Sequence, residues 1–155
     1  LEETQRMGTA GALSLLPERP TRPMIVMNGD LITRTGFRRL LEFHKEQKSA
    51  ATMCVREYDF QVPFGVINLD GDRIKSIDEK PIHRFFVNAG IYVLDPILLT
   101  MVPNDQRFDM TQLFETVIAE DRTTAVFPIH EYWLDIGRFD DLEQAQVDYR
   151  NGAHK

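Results

Sequence analysis

The chain has 155 residues, a formal net charge of -6 and a single cysteine, Cys54. Its acidic balance and the lack of any Lys/Arg run exclude a nucleic-acid or anionic-membrane partner, and no apolar stretch approaches the roughly 18 residues a membrane span needs. The length suits one domain with a real core, and one unpaired cysteine without a visible secretory signal points to a reducing cytoplasm.

Met7-Gly8-Thr9-Ala10-Gly11-Ala12-Leu13 opens a helical stretch that sends Leu13, Leu15 and Leu16 towards a core and stops at Pro17. Gly8 and Gly11, three apart, permit either close helix packing or close approach of a flat ligand, and Thr9 adds a hydroxyl. Pro23-Met24-Ile25-Val26-Met27 reads as a strand buried on both faces, the pattern of a parallel sheet covered by helices. It runs into Asn28-Gly29-Asp30, a turn that presents a carboxylate at the strand's C-terminal end, where open α/β sheets place their ligands. An aspartate in such a turn also serves simply by bonding its own backbone, so pattern leaves both roles open for Asp30.

Residues 35–47 form an amphipathic helix with Phe37, Leu40, Leu41 and His44 on one stripe; no second His or Cys stands at metal spacing from His44. Residues 50–55 make the next strand. Cys54 lies inside it, a small core residue with no His or Lys beside it to favour a thiolate. Residues 64–69 and 73–77, about Asp70-Gly71-Asp72, predict a β-hairpin that leads into Asp78-Glu79-Lys80-Pro81. That segment is either a solvated loop or a place where Lys80 meets a phosphate and Glu79 accepts from sugar hydroxyls. Residues 85–94 form a strongly apolar strand broken by Asn88-Ala89-Gly90, which predicts a bulge or a close ligand. Asp95-Pro96 starts a short helix, and a capping-box pattern at Asp109 to Gln112 starts another over residues 111–120. Residues 123–129 read as a strand, and residues 139–150 as a terminal helix with Leu142, Ala145 and Tyr149 inward. Strands alternating with helices, plus one hairpin, give an α/β fold whose sheet is mostly parallel with a mixed edge. Asp30 and Asp135 each follow a predicted strand. Two carboxylates without histidine or thiolate partners suit a hard cation, Mg²⁺ above all, which takes few protein ligands and completes its shell with phosphates and water.

Six short motifs follow in order: Gly8-Thr9-Ala10-Gly11-Ala12-Leu13, Asn28-Gly29-Asp30, Phe64-Gly65-Val66, Glu79-Lys80-Pro81, Val87-Asn88-Ala89-Gly90-Ile91-Tyr92 and Trp133-Leu134-Asp135-Ile136-Gly137. Together they resemble the sugar-phosphate nucleotidyltransferases, a family that includes mannose-1-phosphate guanylyltransferases and glucose-1-phosphate thymidylyltransferases. The resemblance implies a Rossmann-like mixed sheet and transfer of a nucleoside monophosphate from a nucleoside triphosphate to a sugar-1-phosphate, with release of pyrophosphate. It implies that Gly8, Thr9 and Gly11 meet the nucleobase, that Asp30 and Asp135 hold Mg²⁺, and that Lys80 clamps the sugar phosphate. It implies further that Glu79 accepts from sugar hydroxyls, that Gly65, Asn88 and Gly90 line the sugar site, and that Trp133 shapes its wall. The stretches Phe85 to Gly90 and His130 to Trp133 look most like guanylyltransferase-type members, which favours GTP.

The family's glycine-rich loop, G-x-G-x-R-L-x-P, and the Lys-Pro segment after it occur nowhere in the 155 residues. The expectation is therefore one partial nucleotidyltransferase domain over 1–155, the C-terminal part of the catalytic domain without its first strands. On its own it should be inactive or nearly so, because that loop stabilises the leaving pyrophosphate. An unpaired sheet edge would favour a homo-oligomer. Two other readings compete: a non-catalytic sugar-phosphate-binding or regulatory subunit, and a metal-dependent glycosyltransferase. Retention of Asp30, Lys80 and Asp135 argues against the first, and Asn28-Gly29-Asp30 is not the D-x-D motif of the second.

Overall fold

The computed structural model describes residues 3, 5–137 and 139–150. Its main sheet has four strands: β1 (Met24–Met27), β3 (Ala51–Gln61), β6 (Ile82–Leu94) and β7 (Thr124–Pro128), in the order β1-β6-β3-β7. Two smaller ladders flank it: β2 (Leu31–Thr33) with β8 (Trp133–Asp135), and the hairpin β4 (Gly65–Asp70) with β5 (Arg73–Glu79). Helix α1 (Gly8–Gly11) runs into a 3₁₀ turn at Ala12–Leu15, and helices α2 (Phe37–Glu46), α3 (Met110–Ala119) and α4 (Phe139–Arg150) complete the chain.

The α/β fold and the mixed sheet are as the sequence predicts, but the strand directions differ from expectation. β6 runs antiparallel to both β1 and β3, and among the described strands only β3 with β7 is parallel. The described sheet is thus more antiparallel than parallel. β1 is also not the doubly buried centre: its residues are half-buried, Met27 is exposed, and only β6 pairs with it among the described strands. β6 takes that place because it has a ladder on each edge and a core on each face. Tyr92 and Leu94 join one apolar cluster with Met110, Leu113 and Val117 of α3. Ala89, Ile91 and Val93, alternating with them, join the other with Leu40 of α2, Cys54 and Phe127. The period of two along a strand sends alternate residues to opposite faces.

The predicted bulge is present. Met53 pairs with Tyr92 and Val55 with Asn88, so β6 spends two more residues than β3 between these pairs. Gly90 sits there at φ +69°, a left-handed backbone that glycine adopts without steric cost. Both long strands outrun their predicted ends, 55 and 85. Beyond the bulge they continue as an exposed two-stranded ribbon, Arg56↔Val87 to Gln61↔Ile82, that carries the β4–β5 hairpin. The first helix is shorter than expected and finishes as the 3₁₀ turn. In α4 Ala145 is buried as predicted; the side chains of Leu142 and Tyr149 lie outside the described residues.

Candidate functional site

The turn after β1 is pinned to the bulge in β6. Asn28 N–H donates to the Gly90 carbonyl at 2.9 Å, and a Cβ on Gly90 would stand 2.8 Å from Asn28 Nδ2 and 2.9 Å from Leu31 Cδ1. A side chain there would have to push the Asn28 amide and a Leu31 methyl aside, on a backbone at φ +69° that already favours glycine. Asn88 Oδ1 accepts from Gly90 N–H at 2.9 Å, and Asn88 Nδ2 donates to the Tyr92 hydroxyl at 2.7 Å. Burial raises the pKa of that hydroxyl.

From Asp30 the chain enters β2, and β2 pairs with β8 so that Leu31 faces Asp135. Ile136 N–H donates to the Asp30 carbonyl at 2.8 Å, and Gly137 N–H to Asp135 Oδ1 at 2.9 Å. A Cβ on Gly137 would lie 3.1 Å from Asp135 Oδ1 and 3.8 Å from Asp30 Oδ2. Two carboxylate oxygens therefore border one small, solvent-open space, 105 residues apart in sequence but adjacent in the fold. Among the described residues no cluster of three or more His, Cys, Asp or Glu is arranged for a metal. A pair of carboxylates is the donor set that fits an ion keeping most of its shell for phosphates and water. Trp133, at the start of β8, donates from Nε1 to the Ala89 carbonyl at 2.8 Å, which ties this ladder to the same bulge. Arg56 stacks over its ring at 5.8 Å and donates to the Glu131 carbonyl at 3.2 Å.

A cavity of about 540 Å³ joins Asp30 to the N-terminal helix; Gly8, Thr9, Asn28 and Gly29 line it as well. α1 is held there by the segment that starts α3. Thr9 N–H donates to Asp109 Oδ1 at 3.1 Å, Met110 N–H donates to Thr9 Oγ1 at 2.7 Å, and the N–H groups of Ala10 and Gly11 both reach the Phe108 carbonyl. A Cβ on Gly8 would lie 2.5 Å from Asp109 Oδ1, and one on Gly11 would lie 2.8 Å from the Gln106 carbonyl. Close packing thus accounts for both glycines. Gly11 faces residues 106–108 and does not line the cavity, whereas Gly8 and Thr9 line it and also pack on the segment from Phe108 to Met110.

Gly65, Glu79 and Lys80 form a separate group at the root of the hairpin. Gly65 pairs with Glu79, and a Cβ there would come 3.1 Å from Glu79 Oε2. Lys80 has a left-handed backbone, φ +48°, and its exposed ammonium makes no ion pair among the described residues. Among the described residues no hydrogen bond links this group to the carboxylate pair. Cys54 is fully buried, and desolvation, aided by the negative charge of Glu131, pushes its thiol up to about 12, so it stays neutral. Reading the sequence singled out neither Asn28 as Gly90's contact nor Asp109 as Thr9's anchor nor Arg56 as Trp133's partner. The capping-box pattern at Asp109 was the one available signal.

The model of the family described as nucleotidyl transferase matches residues 1–152. The chain belongs to that family. The match takes in all six motifs and every site residue above. A probable mannose-1-phosphate guanylyltransferase 3 of Arabidopsis thaliana is 31% identical over 162 residues, covering 99% of this chain and 49% of that protein. The chain spans about half the length of the curated relatives it matches. Among solved structures, HddC from Yersinia pseudotuberculosis is 25% identical with a TM-score of 0.64, over 95% of this chain and 64% of that one. A putative glucose-1-phosphate thymidylyltransferase from Bacillus anthracis, 22% identical, superposes with a TM-score of 0.69 over 96% of this chain and 63% of its own. The mixed sheet is the nucleotidyl transferase fold. No helix among the described residues is long and apolar enough to cross a membrane.

Proposed function

We propose that the protein transfers a nucleoside monophosphate from a nucleoside triphosphate to a sugar-1-phosphate, with GTP and mannose-1-phosphate as the favoured pair. The observation that carries this reading is the β2–β8 ladder, which sets the Asp30 and Asp135 carboxylates around one space beside the cavity lined by Gly8 and Thr9. The relatives named as mannose-1-phosphate guanylyltransferases support guanylyl transfer.

In the reaction an oxygen of the sugar phosphate forms a bond to the α-phosphorus while the bond from that phosphorus to the bridging oxygen breaks, and pyrophosphate leaves with the electron pair. The residues position and neutralise rather than react, and Cys54, buried and neutral, is no nucleophile. The base lies against Gly8 and Thr9, with Gly11 setting the close approach of α1 to residues 106–108. Asp30 and Asp135 would hold Mg²⁺, which would offset charge on the reacting phosphates. Lys80 offers an unpaired ammonium to the sugar phosphate, and Glu79, beside the gap left by Gly65, accepts from sugar hydroxyls. Asn88 and Gly90 shape the sugar side of the bulge, with Trp133 fixing its backbone.

The test is pyrophosphate release with Mg²⁺, a panel of nucleoside triphosphates and a panel of hexose-1-phosphates. The 155-residue chain is assayed alone and joined behind a glycine-rich phosphate loop. Release with GTP and mannose-1-phosphate in the joined form, and little or none from the 155 residues alone, is the expected result. Turnover of the joined form only with another nucleotide overturns the specificity. Silence in both forms favours the non-catalytic sugar-phosphate-binding subunit.

A further inference from the structure

The cavity that joins Asp30 to α1 is not the largest in the molecule. A cavity of about 620 Å³ opens at the opposite end of β1, where Arg22 and Pro23 enter the strand and where α2 ends. The four residues of β1 lie between this cavity and the Asn28-Gly29-Asp30 turn, and the two cavities share no lining residue. Three cations line it from two separate parts of the chain: Arg22 ahead of β1, and Lys45 and Lys48 at the end of α2. All three are exposed, and none makes an ion pair among the described residues.

Lys45, in the last turn of α2, and Lys48, just past its C-cap Gln47, lie by the negative end of the helix dipole, which accounts for two of the charges. It does not account for Arg22, which arrives from another segment and faces the same space. Nor does it account for Ser49, in the cavity wall, whose buried hydroxyl has no hydrogen-bond partner among the described residues. Buried hydroxyls left unpaired are rare. The one acidic residue in the lining, Asp95, is engaged by His44, Nε2 to Oδ1 at 3.3 Å, while His44 Nδ1 meets Thr52 Oγ1 at 2.8 Å. Pro23 and Leu41 supply an apolar wall. Uncompensated positive charge, a hydroxyl without a partner and an apolar wall make complementary demands on one ligand.

We propose that this cavity is a second binding site, separate from the carboxylate pair, for a small organic phosphate. The phosphate group lies between Arg22, Lys45 and Lys48, and the apolar body rests on Pro23 and Leu41. The inference stands on these residues alone and does not depend on the reaction proposed above.

Calorimetric titration of the protein with phenyl phosphate, and separately with inorganic phosphate, tests it. Saturable binding of phenyl phosphate with a Kd of millimolar order or tighter is expected, with inorganic phosphate weaker. K45E/K48E should weaken phenyl phosphate binding about tenfold or more, since like charge replaces attraction. These side chains are exposed, and an unchanged circular dichroism spectrum shows that the fold is kept. D30N/D135N should leave the affinity unchanged. Binding that K45E/K48E leaves intact, binding that D30N/D135N removes, or no saturable binding up to about 10 mM each overturns the proposal.

Discussion

Gly90 and Gly29 stand on adjacent segments and make opposite predictions. Gly90 combines φ +69° with two side-chain atoms, Asn28 Nδ2 and Leu31 Cδ1, inside 3 Å of where a Cβ would go. Gly90→Ala should cost about 1–3 kcal/mol and push Asn28 off the bulge. Gly29 has nothing within 4 Å of that point, so Gly29→Ala should change stability by less than about 0.5 kcal/mol. Urea unfolding of the two variants checks the contrast, and equal losses would remove the role given to the bulge. Asp30→Asn and Asp135→Asn keep the shape of the ladder and remove the negative charge that would hold Mg²⁺ against the phosphates. In the form joined behind a phosphate loop, each should lower kcat by about 10²–10³-fold with the fold intact, read by pyrophosphate release. Cys54, raised to about 12, stays protonated in the native state throughout the neutral range, because its folded pKa lies far above working pH. A thiol reagent at pH 8 should therefore leave native protein unmodified and label it promptly in urea; fast native labelling would contradict the burial.

At the scale of elements, the start of α3 connects stability to the site. Asp109 caps α3 in a reciprocal box with Gln112 and also holds Thr9. Asp109→Ala should cost about 1–2 kcal/mol of unfolding free energy. Because it frees α1, it should also raise the KM for nucleotide more than it lowers kcat. A cap that served the helix alone would leave KM unchanged. These elements show where the sequence was readable. Long, patterned segments such as α2, α3 and the β4–β5 hairpin follow directly from periodicity, capping and turn chemistry. The two carboxylates were identifiable from their motifs. The ladder that unites them was not, since β2 and β8 are three residues each, too short to carry a period. The sequence overstates the prominence of β1 for a related reason. A short apolar run looks the same whether it lies at the centre or the edge of a sheet, and only the pairing decides. Gly8 and Gly11 illustrate a further limit, because a spacing that permits close approach does not say whether ligand or backbone comes close.

The whole molecule divides into a body, with a core on each face of β6, and a projecting part that has neither. In the body Leu113, Ile91 and Val93 are fully buried. In the hairpin Ile67, Leu69, Ile74 and Ile77 share one face and are all largely exposed, Leu69 at 66%. Apolar burial is the main source of stability, so hydrogen-bonded strands without it should open readily. Leu113→Ala should cost about 2–5 kcal/mol, whereas Ile67→Ala should cost under about 1 kcal/mol. The same division predicts the pattern of amide exchange. The amides of Tyr92 to Leu94, paired on both edges and covered on both faces, should exchange only through global unfolding. Those of β4, β5 and the ribbon from Arg56 to Gln61 should exchange orders of magnitude faster, although they too are in ladders. Native-state hydrogen exchange followed residue by residue measures this directly. Uniform protection across body and hairpin would mean that the hairpin shares the cooperative unit. Lys80 and Glu79 would then stand on a rigid platform rather than on an arm able to move relative to the carboxylate pair.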